Sequence, residues 1–562
     1  MDFKVTQHIR PCILRISAPI VFVLMGAIAP AHTAPISSPY NAHMKTSSGA
    51  AASTHKPLIL SSEALRKDVE AFNAQDEELY PDSIDNAHAW AFLNGNVPLF
   101  DCPDTSMRQI YNFRWWTYRK HLRKSPSGWI VTEFLPNVPW AGKYNSIDCA
   151  AAHHIMEGRW LADPQYMNDY SAFWFAPDGG EPRRYSFWAA SSIYQRAIVS
   201  GDRTQAIHLL DDLRANSMEW EKSHRDANGL YQQSDDRDGM EVSIGGSGYR
   251  ATINSYMCGD AMAISKIAEW TGKNDLAIEY RRKAEAIKRA MLSKLWDPKA
   301  QFFKVLPAGD NTSLADVREQ HGYTPWYFEL PPDTAEYSKA WSQVMAPQGF
   351  YAPYGPTTAE RRSPSFALSY QGHECQWNGP SWPFATSITL TGMANLLNDY
   401  HQDIVSKADY FKLLSNYARS QYLKHDDGRV TPWIDEDLNP DTGDWIARTV
   451  QKDGGHWSPR ERGKDYNHST FCDLIITGLI GLRPRMDNEL EVNPLVPAGA
   501  WEYFCLDAVP YHGQAITILW DKSGRHYEHG KGLSLFADGK QIAHRKDLGK
   551  LEATLPAIGA HS

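Results

Sequence analysis

Residues 373–384 read HECQWNGPSWPF, and an apolar helical stretch at 385–397 follows directly. Pro383 suits the first turn of that helix, where its missing N–H costs nothing. We therefore expect a rigid turn that holds Trp377 and Trp382 at the mouth of the helix. Rigid indoles beside amides suit a sugar pocket, because a sugar ring stacks its C–H face and hydrogen-bonds at its rim. The alternative for this stretch is a buried, tryptophan-rich helix start.

Helical periodicity extends on both sides of this stretch, from about residue 86 to about residue 485. A first helix is expected before that region, with Ser62 as its N-cap. The predicted helices are 62–80, 104–123, 145–158, 185–200, 203–223, 250–272, 275–295, 335–345, 381–400, 407–423 and 469–480.

Long loops dense in Trp, Gly, Asp and Glu separate these helices, at 128–143, 226–248, 347–376 and 426–467. Long loops in a folded domain are usually functional. Helices that alternate with such loops indicate a mainly α helical toroid with its site at one mouth. A repeat solenoid is the alternative, but the sequence has no fixed-period repeat.

After about residue 486, the sequence pattern changes from helical to strand-like. Residues 490–497, 515–520 and 533–536 predict strands, and residues 537–540 predict a turn between strands. Residues 508–513 are predicted to form a turn as well. We therefore expect a small β module at 486–562, packed on a helical catalytic domain at 86–485.

The N-terminus has the pattern of a secretory signal. Lys4, Arg10 and Arg15 precede an apolar segment at 16–29, which is too short to cross a bilayer. Ala29-Pro30-Ala31 offers a small-x-small cleavage site. We expect a signal peptide at 1–31, a flexible leader and first helix at 32–85, and a periplasmic or secreted protein with no membrane association after cleavage.

The composition of the chain limits the classes of molecule that it is expected to bind. The chain has 562 residues and a formal net charge of -9, without any basic block, so nucleic-acid binding lacks its electrostatic signature. The 20 tryptophans and 27 tyrosines favour a carbohydrate or another flat ligand. The seven cysteines show no CxxC spacing, and His153-His154 matches no zinc motif, so we expect no metal site. Disulfide pairing, calcium binding and oligomeric state stay open.

Two loops carry carboxylates in settings that suit acid–base chemistry. The first, DDRDGMEVS at 235–243, closes into YRATINSY at 249–256, and the second is PWIDEDLNPDTGDW at 432–445. The alternative for each acidic cluster is a solvated or calcium-binding loop.

Three ordered motifs resemble inverting glycoside hydrolases built on an (α/α)6 toroid. That group includes mannosylglycerate hydrolase, processing α-glucosidase I and trehalase, with a bacterial β-L-arabinofuranosidase family as a further relative. DGMEVS at 238–243 is similar to the S-G-M/W-D-x-S acid loop of the group. WNGPSWP at 377–383 is similar to its W-x-G-P/N-x-W-P motif, and Glu436 with Pro440, Thr442 and Gly443 to its E-x-x-x-P-x-T-G base loop.

The resemblance implies that Glu241 is the general acid and Glu436 the general base. The group usually has Asp in the acid position, so Asp238 is an alternative acid. Inversion requires the two carboxyls to lie roughly 6.5–9.5 Å apart to admit a water molecule. Both roles are filled by carboxylates, so no cofactor is expected.

Further residues are expected to line the sugar site, on the motifs and on the polar-aromatic loops around 128–145. These candidate substrate-binding residues are Trp377, Asn378, Gly379, Trp382, Trp129, Glu133, Trp140, Lys143, Tyr144, Asn145, Asp238, Arg250, Trp433 and Trp457. For Arg250 we favour a role in holding the acid loop.

The sequence thus predicts an exported, inverting exo-glycosidase that acts on an oligosaccharide or a glycan side chain. One alternative is a polysaccharide lyase on a helical toroid, which would need a basic cleft. The other is a non-catalytic glycan-binding protein with inert carboxylates. The sugar, its anomer and its ring form do not follow from the sequence, because one fold serves many substrates.

Overall fold

The computed structural model describes residues 56–309, 311–370, 372–453 and 459–557, so the predicted signal peptide and Trp457 lie outside the described residues. The described α-helices are α1 Glu63–Gln75, α2 Ala89–Leu93, α3 Thr105–Lys120, α4 Ala151–Gly158, α5 Gln165–Phe173, α6 Ala189–Ser200, α7 Thr204–His208, α8 Leu210–His224, α9 Ala251–Trp270, α10 Asn274–Lys294, α11 Thr324–Tyr327, α12 Ala335–Ser338, α13 Pro383–Asp399, α14 Lys407–Ser420 and α15 Ile446–Asp453.

A π-helix spans Leu474–Leu479, and short 3₁₀ turns lie between the α-helices. The strands are β1 Leu99–Asp101, β2 Leu122–Ser125, β3 Gly128–Val131, β4 Gln232–Gln233, β5 Gly248–Tyr249, β6 Trp296–Asp297, β7 Phe302–Phe303, β8 Leu306–Pro307, β9 Tyr422–Lys424, β10 Val430–Pro432, β11 Leu482–Arg483, β12 Glu489–Val492, β13 Tyr503–Tyr511, β14 Gln514–Asp521, β15 Gly532–Ala537, β16 Lys540–Arg545 and β17 Leu551–Thr554.

Every predicted helical segment contains helix, but several bounds differ. Helix α1 ends at Gln75, α6 begins at Ala189, the helix predicted at 203–223 is divided into α7 and α8, and the one predicted at 335–345 is α12 followed by a 3₁₀ turn. Helix α13 begins at Pro383, as its sequence requires. Helix α4 begins only at Ala151, because Tyr144 and Asn145 have positive φ angles that end any earlier helical turn. The helix predicted at 469–480 contains the π-helix.

Seven helices pack in succession around a shared apolar core. Helix α4 contacts α6, α6 contacts α9, α9 contacts α11, and α11 contacts α13, which in turn contacts α14; α14 then packs on α3. A second layer is formed by α8 and α10, which both pack on α9. One continuous cluster of buried apolar residues extends from Leu65 of α1 to Leu555 after β17. The fold is therefore helical, with a sheet module at its C-terminus.

The C-terminal strands form an antiparallel sheet in the order β1-β13-β14-β15-β16, and β11, β12 and β17 form a second sheet. The prediction of a turn at 508–513 was wrong for its first four residues. Residues 508–511 belong to β13, and the turn is confined to His512 and Gly513. Strand β1, from the predicted catalytic domain, pairs with β13, so the boundary predicted at residue 486 is bridged by hydrogen bonds.

The segment before α1 is fixed to this sheet. The backbone N–H groups of Leu58, Ile59 and Leu60 donate to the Asp507 carboxylate at 3.1, 2.7 and 2.8 Å. The expected flexible leader therefore does not extend to residues 58–60, because a buried carboxylate satisfies their donors. None of the described helices is long and apolar enough to span a membrane.

Candidate active site

A pocket of about 270 Å³ opens where the loops before several helices meet. Its lining residues come from the segments that precede α4, α6, α9, α13 and the π-helix, together with the loop after β10. They are Glu133, Phe134, Trp140, Ile147, Cys149, Tyr185, Gly239, Glu241, His373, Glu374, Cys375, Trp382, Phe384, Glu436, Arg462, Tyr466 and His468. The two predicted catalytic glutamates, far apart in the sequence, thus line one pocket.

Glu241 is presented by a tightly constrained loop. A 3₁₀ turn at Asp236–Asp238 ends at Gly239, whose φ of 69° is easily adopted only by glycine. Val242 has a φ of 63°, a strained conformation for a β-branched residue. Such strain next to a pocket residue persists only where the surrounding structure imposes it.

Arg250 supplies much of that constraint. Its guanidinium donates from Nε to Asp238 at 2.7 Å and from Nη1 to Ser243 Oγ at 3.1 Å and to the Gly246 carbonyl at 2.5 Å. The side chains of Arg250 and Asp238 are fully buried. Arg250 thus bonds three residues of the acid loop, and Asp238 lies in a buried ion pair outside the pocket lining.

The environment of Glu241 favours its protonated form. Burial raises the pKa of Glu241 to about 8, and the negative charges of Glu436, Asp236 and Asp235 add to the effect. As a residue, Glu241 is nevertheless half-buried rather than fully buried, and it lines the pocket. Glu241 can therefore carry a proton near neutral pH and still reach a ligand.

The WNGPSWP motif joins the two carboxylate loops. The Trp377 backbone N–H donates to the carbonyl of Glu241 at 3.0 Å. Ser381 exchanges two backbone hydrogen bonds with Leu438, at 2.9 and 3.0 Å, two residues after Glu436. The Trp377 and Trp382 rings stack at 4.6 Å, and Trp382 faces the pocket. The motif thus fixes both loops and contributes one wall.

Glu436 is held by Arg462, which was not among the predicted site residues. Nη2 of Arg462 donates to Oε2 of Glu436 at 2.6 Å, a short charge-assisted hydrogen bond. Nη1 of Arg462 lies 3.4 Å from Oε1 of Glu374. Cζ of Arg462 lies over the Trp140 ring, 5.1 Å from its centroid. Gly463 is required beside it, because a Cβ there would lie 1.9 Å from an Asp435 carboxylate oxygen.

The carboxylates on either side of Glu436 point elsewhere. Asp435 accepts a hydrogen bond from the Glu436 backbone N–H at 2.9 Å, and Asp437 accepts one from the Ala447 N–H at 3.0 Å. Both are buried and neither lines the pocket. Of the acidic triplet, Glu436 alone lines the pocket.

Glu133 is a third buried carboxyl group in the pocket. Its Oε1 accepts a hydrogen bond from Trp140 Nε1 at 2.9 Å, while its Oε2 has no hydrogen-bond partner among the described residues. Burial raises the pKa of Glu133 to about 8, and the nearby charge of Glu436 contributes. A neutral carboxyl with a free oxygen can both donate and accept, as sugar hydroxyls require.

Among the described residues, the remaining predicted binding residues do not line the pocket. Trp129 packs on Tyr166, and Lys143 donates to the Asp178 carbonyl. Asn145 ties down its own loop through the carbonyls of residues 134 and 136 at 2.8 and 3.0 Å. These loops support the wall that Glu133 and Trp140 form. The pocket lining likewise does not include Asn378, Gly379, Tyr144 or Trp433.

Several pocket residues were not among the predicted site residues. Besides Arg462, these include Cys149, Tyr185, His373, Glu374 and Cys375. Their shared feature is position, since most of them directly precede a helix that begins at this end of the molecule. In the described residues, no group of three or more His, Cys, Asp or Glu side chains is arranged to hold a metal ion.

Two family models match this chain. Residues 143–469 match the model of the Mannosylglycerate hydrolase MGH1-like glycoside hydrolase domain, and residues 482–544 match the Glycosyl hydrolase family 65, C-terminal domain. A solved structure named Sialidase is 42% identical with a TM-score of 0.83; the match covers 90% of this chain and 45% of that one. The chain thus spans less than half the length of that relative.

Two further structures are more distant. A GH78 family rhamnosidase of Bacillus sp. GL1 is 10% identical with a TM-score of 0.50, over 82% of this chain and 43% of that chain, which is a likeness of fold alone. The GH63 mannosylglycerate hydrolase of Thermus thermophilus is 13% identical with a TM-score of 0.47, over 65% of this chain and 99% of that chain. Since the first family model covers more than half of the 562 residues, this protein belongs to the family of MGH1-like glycoside hydrolases.

Proposed function

We propose that this protein is an inverting exo-glycosidase in which Glu241 is the general acid and Glu436 the general base. The observation that carries the proposal is the contrast between two carboxyl groups that line one pocket. Burial raises the pKa of Glu241 to about 8, whereas Glu436 is paired with the permanent cation of Arg462 at 2.6 Å. One proton donor and one proton acceptor are what glycoside inversion uses.

The reaction follows from these two states. Glu241 transfers its proton to the glycosidic oxygen as the bond from that oxygen to the anomeric carbon breaks. Glu436 takes a proton from a water molecule whose oxygen attacks the opposite face of the same carbon. The products are an alcohol and a sugar of inverted configuration. Glu241 then regains a proton from solvent and Glu436 loses one before the next turnover.

The pocket favours a terminal, uncharged sugar. Its volume of about 270 Å³ lies near the small end of the range for ligand sites, roughly 300–1,000 Å³, which suits one ring rather than a chain passing through. Its lining carries four glutamates and one arginine, and that arginine is already engaged by Glu436 and Glu374. Even with Glu133 and Glu241 protonated, the carboxylates of Glu374 and Glu436 outnumber the one arginine, so an anionic sugar would meet a net negative charge.

Two broader features belong to the same proposal. The succession of helix contacts from α4 through α14 to α3, with the pocket at the end where helices begin, supports an (α/α)6 toroid for residues 86–485. The charged and apolar segments of residues 1–31 support export to the periplasm or the medium. The N-terminal residue of the mature protein, read after expression of the full chain, tests export.

The test of the activity is a screen of aryl glycosides and oligosaccharides, with the anomer released first read by NMR. We expect the inverted anomer from wild type and a loss of about 10²–10⁴-fold in kcat for both Glu241→Gln and Glu436→Gln with folding intact. Retention of configuration would overturn the pairing of acid and base. An unsaturated product absorbing in the ultraviolet would favour a lyase, and binding without any product would favour a glycan-binding protein.

A further inference from the structure

A cysteine lies against the proposed base. Sγ of Cys375 is 3.6 Å from Oε1 of Glu436, within hydrogen-bonding range for sulfur. The other oxygen, Oε2, accepts from Arg462 at 2.6 Å. The two oxygens of this carboxylate therefore face different donors, a strong charged one and a weak neutral one.

The position of this thiol is fixed by the same segment that joins the two loops. The Cys375 backbone N–H donates to Nδ1 of His373 at 3.0 Å. The carbonyl of the next residue, Gln376, accepts from Trp382 Nε1 at 2.8 Å, and the Trp377 N–H is bonded to the Glu241 carbonyl. Cys375 is thus held on both sides by contacts to the pocket wall and to the acid loop.

We propose that Cys375 is a positioning residue for Glu436. The S–H group of Cys375 fixes the plane of the Glu436 carboxylate from the side opposite Arg462. The inference rests on the proposed function, because it assigns a task to the base of that mechanism. With both oxygens held, the carboxylate is kept from rotating about its terminal bond, so its orientation toward the attacking water is maintained.

The chemistry of sulfur suits this task. Burial raises the pKa of Cys375 well above its usual range, and the charges of Glu436 and Glu241 act in the same direction, so the group stays a thiol. A thiol is a weak donor, and it therefore orients the carboxylate while withdrawing less of its basicity than a hydroxyl would. A serine at this position would hold the carboxylate more tightly and make it a poorer base.

The experiment compares Cys375→Ala and Cys375→Ser with wild type in kcat, KM and the pH profile of kcat/KM. We expect Cys375→Ala to lose about ten- to a hundredfold in kcat with KM within about twofold, because the base is misaligned and the sugar wall is not. We expect Cys375→Ser to recover much of that kcat and to move the acidic limb of the profile to lower pH. A residue that only fills space would not move that limb.

Cys258→Ala is the matched control, since Cys258 is a buried thiol that donates to the Ala284 carbonyl and lies outside the pocket. Its pH profile is expected to match wild type. Wild-type kcat and an unshifted profile in both Cys375 variants would overturn the inference. Equal and near-complete loss in Cys375→Ala and Cys375→Ser, with both folded, would overturn it as well, because that result indicates a thiol nucleophile. Glu436→Gln, assayed in parallel, distinguishes failure of this inference from failure of the proposed function. If Glu436→Gln retains wild-type kcat, the proposed function itself fails.

Discussion

The backbone N–H of Trp377 donates a 3.0 Å hydrogen bond to the carbonyl oxygen of Glu241. Four residues later, Ser381 pairs through two backbone hydrogen bonds with Leu438 in the loop of Glu436. One short segment therefore sets the position of both proposed catalytic carboxyls. Because these contacts use the backbone, they depend on the path of the segment more than on its side chains.

That path makes Gly379 a sensitive position. A Cβ on Gly379 would lie 2.2 Å from the carbonyl oxygen of Ala367, a distance that forces the segment to move. We expect Gly379→Ala to lower the free energy of unfolding by about 1–3 kcal/mol and to reduce kcat, because Glu241 and Glu436 would shift together. Chemical denaturation and steady-state kinetics measure the two effects.

Gly272→Ala provides the control for this substitution. Gly272 has a φ of 71° but no atom within 4 Å of its Cβ position, and it lies in the turn after α9, away from the pocket. We expect a cost of about 1–2 kcal/mol from the left-handed conformation alone and no change in kcat. Equal kcat in the Gly379 variant and wild type would contradict the linking role of the motif.

The alkaline limb of the pH–activity profile is expected to report Glu241. A general acid must be protonated, and the pKa of Glu241 is raised to about 8. Activity should therefore be sustained below pH 8 and fall about tenfold per pH unit above it. Profiles of kcat/KM with an aryl glycoside check this expectation.

Glu133 is the control for that assignment, because burial raises its pKa to about 8 as well. The variant Glu133→Gln is expected to raise KM while keeping the alkaline limb, whereas Glu241→Gln should remove the limb along with most of the activity. If the limb disappears in the Glu133 variant instead, the acid is misassigned.

Arg462 is expected to be needed for stability as well as for activity. Its replacement in Arg462→Met would leave the buried Glu436 carboxylate without its cation, a change that typically costs about 3–5 kcal/mol. The double variant Arg462→Met/Glu436→Gln removes the stranded charge, so it should regain most of that loss while staying inactive. Denaturation midpoints of the single and double variants would show additive losses if the two residues were not coupled.

Asp507 is expected to determine the order of the segment before α1. Its carboxylate accepts from the N–H groups of residues 58–60, from the Ala508 N–H at 2.9 Å and from Thr517 Oγ1 at 2.6 Å. An amide cannot accept all of these, so Asp507→Asn should cost about 1–3 kcal/mol and expose residues 58–60 to fast hydrogen exchange. The variant Asp487→Asn, at an exposed surface ion pair, should change neither quantity measurably.

Much of the fold could be predicted because it depends on local chemistry. Apolar periodicity identified most of the long helices, and the start of α13 at Pro383 follows from the missing N–H of proline. Helix α5, at Gln165–Phe173, was not predicted. Pro510 and Gly513 interrupt the apolar pattern and favour a turn at 508–511, but tertiary pairing of β13 with β14 overrides that local signal.

The sequence by itself determined the class of the site: three ordered motifs, two glutamates in separate loops, and an aromatic segment between them. Only the tertiary structure decided which loop residues reach the pocket. Asp238 and Arg250 pair inside the protein, while Arg462 and Cys375 meet at Glu436. Side-chain direction in these loops depends on individual φ angles, such as 63° at Val242 and 51° at Glu461, and on contacts between residues distant in the chain. Individual φ angles and contacts between distant residues produce no repeating pattern of residue types, so they cannot be recognised in the sequence.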